Sequence, residues 1–213
     1  QLCSCDPSVK KIDDYFMYQG DSLRDLDLSG LDSIESIGDS FCEYCTRLSE
    51  KLLLPKNLKS IGDDFMYFCE EFHEDLVIPD SVTHIGNCFM KACKAFNANI
   101  KLPNSLKKIN DEFLVGCGNF NYGLTFPDGL ESIGDDFLMD CQSFTQGLKL
   151  PNTLKSIGDN FMCNCNIFNQ PLELPNSLES IGDDFLEMCY NFNSKLTIPR
   201  SVKHIGSGFM SQR

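Results

Sequence analysis

The sequence repeats every 24 residues, and this period restricts the possible folds more than any other feature. We call a set of residues separated by that step a column. No insertion disturbs the step, so every unit must occupy an equivalent place in a regular stack. Four columns run from Ile37 to Ile205, from Phe41 to Phe209, from Pro55 to Pro199 and from Cys45 to Cys189.

One unit, Lys51 to Phe72, reads KLLLPKNLKSIGDDFMYFCEEF and begins with an alternating segment. Leu52 and Leu54 fall on one face of an extended chain, which predicts a short strand. Pro55 cannot donate a ladder hydrogen bond and therefore ends it. The unit then returns to the interior through a second extended piece, which contains Leu58 and Ile61.

The second half of the unit predicts a turn followed by a short helical segment. Gly62 permits the turn, and Asp63 or Asp64 can cap the helix that follows. The apolar residues after them have helical spacing and would point inward together. These residues are Phe65, Met66, Cys69 and Phe72.

A single unit cannot fold alone, because ordering its backbone costs about 1–2 kcal/mol per residue and its few apolar side chains do not offset that cost. Stacking units in register, with parallel strands about 4.8 Å apart, turns each column into a continuous buried ladder. We therefore predict a repeat solenoid with parallel strands and short helical or 3-10 turns. Residues 34–213 form the array, whose last unit is incomplete, and residues 1–33 form an atypical N-terminal capping unit.

The order of the repeated positions resembles that of a known family. In order along the chain, the pattern consists of a Cys, an apolar residue, Leu-x-Leu-Pro, Leu-x-x-Ile-Gly and a Phe. It is similar to the leucine-rich repeats of the BspA type, which are found in bacterial and protist surface proteins. The resemblance covers Ile34 to the C-terminus and, more loosely, Val9 to Phe16. It implies a right-handed solenoid with Leu76–Ile78 and its equivalents as concave strands, an extracellular or cell-surface location, and adhesion to host proteins or other cells.

Charge and hydropathy narrow the range of partners. The formal charge of −13 repels phosphate backbones, which argues against nucleic acids and anionic membranes. The longest plain apolar run is Leu52–Leu54, far shorter than the roughly 18 residues that predict a membrane span. The chain starts at Gln1 without an apolar signal segment, which fits a mature secreted product or an excised fragment.

The 12 cysteines predict packed thiols more than disulfides. Seven occupy one buried column, where free cysteine packs as a small hydrophobic residue. Neighbouring members would be close enough to pair, but seven parallel side chains cannot all do so. Cys3 and Cys5 form the most favourable region for oxidation, whereas Cys42-x-x-Cys45 and Cys163-x-Cys165 are weak metal signals. The cysteines outside the column are Cys3, Cys5, Cys42, Cys88 and Cys163.

Carboxylates also follow the repeat step, and two interpretations are open for them. They can cap the predicted helical turns, or stacked oxygens can share a hard cation such as Ca²⁺. Capping is favoured, and we predict no metal site and no cofactor. The first column contains Asp39, Asp63, Asp111, Asp135, Asp159 and Asp183, and the next contains Asp64, Glu112, Asp136 and Asp184.

No catalytic motif occurs, so the sequence predicts a non-enzymatic protein of one of two classes. The first is a recognition module that binds a protein ligand, a host matrix or cell-surface protein, through the variable outward positions of its first strand. The second is a scaffold that stacks on itself through an open C-terminal edge. The predicted ligand-binding positions are Lys51, Leu53, Asp75, Val77, Asn99, Lys101, Thr125, Lys149, Glu173, Lys195 and Thr197.

Overall fold

The chain winds into a solenoid with one 24-residue unit per turn. The structure is a computed structural model that describes residues 5–212. Its strands are short, two residues each, and all their pairings are parallel. They are β1 Lys11–Ile12, β2 Leu26–Asp27, β3 Ser36–Ile37, β4 Leu52–Leu53, β5 Ser60–Ile61, β6 Leu76–Val77, β7 His84–Ile85, β8 Ile100–Lys101, β9 Lys108–Ile109, β10 Ser132–Ile133, β11 Ser156–Ile157, β12 Leu172–Glu173, β13 Ser180–Ile181, β14 Leu196–Thr197 and β15 His204–Ile205.

Two faces alternate along each unit. The isoleucine face contains a four-stranded sheet, β1-β3-β5-β7, and a five-stranded sheet, β9-β10-β11-β13-β15. The leucine face contains only two-stranded pairs, β2-β4, β6-β8 and β12-β14. Equivalent residues pair directly, as Ile133 does with Ile157. The predicted solenoid of parallel, in-register strands is therefore confirmed.

The core between the two faces consists of the apolar columns. Phe65, Cys69 and Phe72 are each at most 1% exposed, and their equivalents in the central units are at most 3% exposed. Rings of the Phe65 column stack at centroid distances of 5.2 to 5.7 Å, the offset separation that aromatic pairs favour. Each buried side chain of this size contributes about 1.5–3 kcal/mol, so the columns supply the stacking energy that a lone unit lacks.

The predicted helical turn is wrong, because residues 5–212 contain no helix. The segment after Gly62 instead alternates in φ, with positive values of 56° at Asp64, 54° at Met66 and 61° at Phe68. The N–H of Asp64 donates to the next unit and the N–H of Met66 donates to Phe41 of the preceding unit, both at 2.9 Å. A helix would use these N–H groups internally. Hydrogen bonds to both neighbouring units offset the cost of the left-handed backbone conformation, which is roughly 1–2 kcal/mol per residue.

The Gly-Asp pair locks consecutive units together rather than capping a helix. Asp39 accepts the backbone N–H of Asp63 in the next unit at 2.8 Å. A Cβ on Gly62 would lie 2.4 Å from the same carboxylate oxygen, so glycine is required by this close approach rather than by turn geometry. The residues that accept in this way are Asp14, Asp39, Asp63, Asn87, Asp111, Asp135, Asp159 and Asp183.

The two ends of the described array differ from its middle. In the first unit, β1 pairs with β3 on the isoleucine face and β2 pairs with β4 on the leucine face. Tyr15 of the same unit is 64% exposed. At the last unit, Ile205 is 43% exposed although its counterpart Ile181 is fully buried. The division between an N-terminal capping unit, residues 1–33, and the repeat array, residues 34–213, stays a prediction. No helix within residues 5–212 has the length and apolarity needed to cross a bilayer.

Candidate functional site

The leucine face presents outward positions that vary between units. In each unit the leucines beside them point into the core, so the intervening residues face outward. All eleven predicted ligand-binding residues lie on this face, and all are exposed except Asn99, which is half-buried. Their role in binding a ligand stays a prediction.

The leucine face opens into a groove near the middle of the array. In the units between β8 and β12, no strand of the leucine face is paired within the described residues. Gly123 and Gly147 stand at outward positions with open space around them, and Pro171 has no N–H to donate. Outward side chains are therefore missing at the two glycines, and one backbone donor is missing at Pro171.

The groove has an apolar floor and a polar rim, with a volume of about 970 Å³. Leu124, Phe126 and Leu148 form the floor and are buried. A smaller depression adjoins it, is lined in part by Asn99 and Lys101, and shares Thr125 and Phe126 with the groove. The exposed rim of the groove consists of Thr125, Asp128, Lys149, Asn152, Pro171, Glu173 and Asn176.

The structure brings some predicted residues together and leaves others apart. Thr125, Lys149 and Glu173 line one groove, and Asn99 and Lys101 line the adjoining depression. The remaining predicted residues flank these two features on the same face. They are Lys51, Leu53, Asp75, Val77, Lys195 and Thr197.

Two predicted residues already have partners inside the protein. Asp75 accepts the backbone N–H of Asn99 at 2.9 Å, so it links two units. The ammonium of Lys101 lies 3.6 Å from Asp80, but both side chains are about half exposed and such a pair contributes little. Within residues 5–212, Lys149 and Glu173 have no ion-pair partner. Their charges are therefore available to a ligand.

Sequence reasoning missed the polar rim that follows the proline column. Asp128, Asn152 and Asn176 stand directly after the prolines and line the groove. The signal was present in the sequence, because the residue after each column proline is polar in every unit. The members of that column are Lys56, Asp80, Asn104, Asp128, Asn152, Asn176 and Arg200.

The cysteine column is part of the core and offers no binding chemistry. Every cysteine among residues 5–212 is free, and Cys3 lies outside the described residues. The thiol of Cys69 donates to the carbonyl oxygen of Cys42 at 3.0 Å, and the same bond recurs in the other units. Burial raises the pKa of the Cys117 thiol to about 12. These thiols satisfy buried carbonyl groups.

The carboxylates do not converge as the calcium interpretation requires. Within residues 5–212, no three His, Cys, Asp or Glu side chains are grouped so as to hold a metal ion. Desolvation raises the pKa of Asp64 and of Asp136, each of which is half-buried beside the turn. The carboxylates of the first column each accept a backbone N–H of the next unit, so the capping interpretation was right only in that a carboxylate binds a backbone N–H.

Comparisons with known proteins agree with this geometry. The BspA type leucine-rich repeat region matches in six copies, over residues 10–145, 67–167 and 121–212. A leucine-rich repeat protein from Bacteroides ovatus is similar in structure, with a TM-score of 0.76 and 22% identity over 96% of this chain and 62% of that one. A leucine rich cell surface protein from Faecalibacterium prausnitzii has a TM-score of 0.62 and 17% identity, over 96% of this chain and 56% of that one.

A leucine-rich repeat protein from T. pallidum also shares the fold, with a TM-score of 0.57 and 21% identity over 90% of this chain and 77% of that one. No curated protein sequence matches significantly. The chain spans 62% of the length of the Bacteroides ovatus protein. At these identities the solved structures establish the fold alone. Because the repeat-family matches extend over residues 10–212, the protein belongs to the BspA-type leucine-rich repeat family.

Proposed function

We propose that this chain is a non-enzymatic recognition module of a cell-surface or secreted protein, and that it binds a protein ligand through the leucine face. The groove between β8 and β12 carries the proposal. It joins an apolar floor to a rim of hydrogen-bonding groups, the combination that protein interfaces use. The Faecalibacterium prausnitzii relative is described as a cell surface protein, which supports the same location here.

The charge of the leucine face favours a protein over a polyanion. The eleven predicted residues include four lysines and two acids, a local charge of +2 in a chain of −13. This excess is too small to bind a phosphate polymer, yet it gives local complementarity to an acidic protein patch. Host matrix and cell-surface proteins are the ligand class that we propose, with adhesion as the consequence.

Charge reversal on the leucine face tests the proposal. We expect Lys101→Glu with Lys149→Glu to weaken capture by immobilised collagen, laminin or fibronectin at least tenfold, as measured by surface plasmon resonance. The thermal midpoint should change little, because both side chains are exposed. Each matrix protein is tested separately, so that the one giving specific binding with the unaltered chain defines the assay.

Lys155→Glu with Lys203→Glu is the matched control, since both lysines are exposed beside strands of the isoleucine face. This variant has the same net charge as the leucine-face variant and should retain capture. If the control abolishes capture and the leucine-face variant retains it, the binding face is wrong. Capture of none of the matrix proteins by the unaltered chain would remove the matrix class of ligand.

Self-assembly is the second candidate function, and exposed apolar residues in the last unit favour it. Ile198 and Ile205 are 38% and 43% exposed, and β14 and β15 each have one unpaired edge among the described residues. Such an edge can accept a further strand from another chain. Light scattering over a concentration series separates the two candidates: long species that grow with concentration favour assembly, and a constant monomer mass favours ligand binding.

A further inference from the structure

An aromatic ladder crosses the turns of the first three units. Tyr15 and Tyr18 have ring centroids 5.6 Å apart, and Tyr18 and Tyr44 follow at 5.9 Å. Tyr44 continues the series to Tyr67 at 5.5 Å and to Phe68 at 5.4 Å. We call these five residues the aromatic ladder. Because each ring touches the next, they form one continuous surface.

The ladder is additional to the repeat and is not required by it. Tyr15 is 64% and Tyr18 42% exposed, and the other three rings are half-buried. Later units have no aromatic residue at the positions of Tyr67 and Phe68, yet they fold with the same turn. The residues at those positions are Lys91, Ala92, Val115, Gly116, Met139, Asp140, Cys163, Asn164, Glu187 and Met188.

The last two rings of the ladder already lie against lysines of the chain itself. The ammonium of Lys91 is 6.0 Å from the Tyr67 centroid, and that of Lys94 is 5.8 Å from the Phe68 centroid. Both distances are within the range of a cation–π attraction. Among the residues that the structure describes, no cation lies over Tyr15, Tyr18 or Tyr44. The ladder thus has cations at one end and three rings without them.

The part of the chain that contains these three rings is acidic. Residues 5–50 contain eleven Asp and Glu against four Lys and Arg, which gives −7 of the total −13. Glu43 adjoins Tyr44, and desolvation followed by neighbouring charges such as Glu43 raises the pKa of the Tyr44 hydroxyl. Within residues 5–212, neither Glu43 nor Asp64, the two carboxylates whose charges act on Tyr44, forms an ion pair. Exposed rings with unpaired carboxylates nearby attract cations rather than anions.

We propose that the aromatic ladder and its carboxylates dock an extended, arginine- or lysine-rich segment of a partner protein. An extended chain advances about 3.3 Å per residue, so alternate side chains are separated by roughly 6.6 Å. This separation is close to the 5.6 and 5.9 Å between successive rings. Cations at alternate positions therefore have the spacing of consecutive rings, whose planes are perpendicular to each other. This surface is distinct from the groove of the leucine face.

A synthetic peptide provides the direct test. The probe is a fluorescein-labelled peptide of five Arg-Ser repeats, and its control replaces each arginine by citrulline, which is neutral and similar in shape. In fluorescence anisotropy, we expect the chain to bind the arginine peptide at least tenfold more tightly than the citrulline peptide. Tyr18→Leu with Tyr44→Leu should weaken binding of the arginine peptide at least tenfold.

Two further variants separate the rings from general effects of substitution. Tyr122→Leu with Tyr190→Leu removes two exposed tyrosines outside the ladder, which are 46% and 49% exposed, and should change binding less than twofold. Tyr18→Phe with Tyr44→Phe keeps the rings and should retain binding. The thermal midpoint of each variant shows whether the fold persists.

Several outcomes would overturn the proposal. One is equal loss of binding in the ladder and control variants, because bulk charge alone would then explain it. Another is equal affinity for the arginine and citrulline peptides, and a third is ring-dependent binding of a neutral oligosaccharide without binding of the arginine peptide. Lys101→Glu with Lys149→Glu should not weaken binding of the arginine peptide. The proposal for the aromatic ladder is therefore tested independently of the proposal for the groove.

Discussion

The isoleucine and leucine faces share one repeat but differ in regularity. The isoleucine face forms sheets of four and five strands, whereas the leucine face forms only pairs. The Gly-Asp lock lies directly after most isoleucine strands. There the carboxylate of one unit occupies the space that a Cβ on the glycine of the next unit would need. Positions that are hydrogen-bonded to both neighbouring units tolerate little change. The leucine face, by contrast, contains Gly123, Gly147 and Pro171 and opens into the groove.

One unit of the chain departs from the Gly-Asp lock, and its structure supports the link between this lock and the regularity of the isoleucine face. Asn110 replaces the glycine of the lock, and the isoleucine sheet is interrupted there, between β7 and β9. In the other units the glycine N–H donates to the preceding isoleucine carbonyl, but the side chain of Asn110 bonds to Ile85 at 2.5 Å instead. The preceding unit has Asn87 where most others have aspartate. A side chain at this position therefore interrupts the sheet without breaking the stack.

The largest expected effect concerns the core that both faces share. Phe137 is fully buried and stacks on Phe113 and Phe161 at 5.7 and 5.3 Å. Phe137→Ala should lower the free energy of unfolding by about 3–5 kcal/mol in denaturant titration. Phe209→Ala, at the half-buried last position of the column, should cost clearly less. Equal losses at the two positions would contradict the stacked-column core.

A matched glycine pair tests the difference between the faces. In Gly158→Ala the new Cβ would meet the Asp135 carboxylate at 2.3 Å and backbone of the preceding unit at 2.6 Å. We expect a loss of about 1–3 kcal/mol, because the backbone must shift. In Gly147→Ala, on the leucine face, the Cβ meets nothing within 4 Å, so stability should change by less than about 0.5 kcal/mol. The comparison fails if both substitutions cost the same.

The smallest predicted effect is a pH dependence at the turn. Desolvation raises the pKa of Asp136, although a hydrogen bond from Asn160 opposes the shift. A raised folded-state pKa means that ionisation costs stability as the pH rises through it. Asp136→Asn should therefore stabilise the chain at pH 7, by less than about 1 kcal/mol because the carboxyl is partly exposed. The gain should disappear below the ordinary aspartate pKa of about 3.9.

Thermal unfolding at pH 7 and pH 3 measures this effect. Glu173→Gln is the matched control, because it removes one charge from the exposed leucine face. A similar pH-dependent gain in the control would show that net charge, rather than desolvation at the turn, is responsible.

The sequence predicted which residues of the turn are buried but not how the turn is built. Phe65, Met66 and Cys69 have the spacing of a helical face, and all three are buried. An alternating backbone with positive φ at Asp64 and Met66 buries the same residues. Side-chain periodicity cannot separate these two conformations, since the difference lies in whether the N–H groups bond within the unit or to its neighbours.

The candidate site was predicted in part for a similar reason. Alternation around the leucines identified the exposed residues, including Thr125, Lys149 and Glu173. The groove was not predicted, because it depends on missing strand pairs in adjacent units. Gly123 and Gly147 were visible in the sequence, but their effect on pairing appears only when the units are stacked.

The sequence alone determined the period, the parallel stacking and the identity of the core columns. These follow from a constant 24-residue step, because identical units in register bury identical residues. The tertiary structure alone decided the conformation of the turn, the Gly-Asp lock, the thiol bonds and the groove. Each of these depends on hydrogen bonds or close approach between units, as between Asp39 and Gly62. Such partners are far apart along the chain, and local spacing therefore cannot specify them.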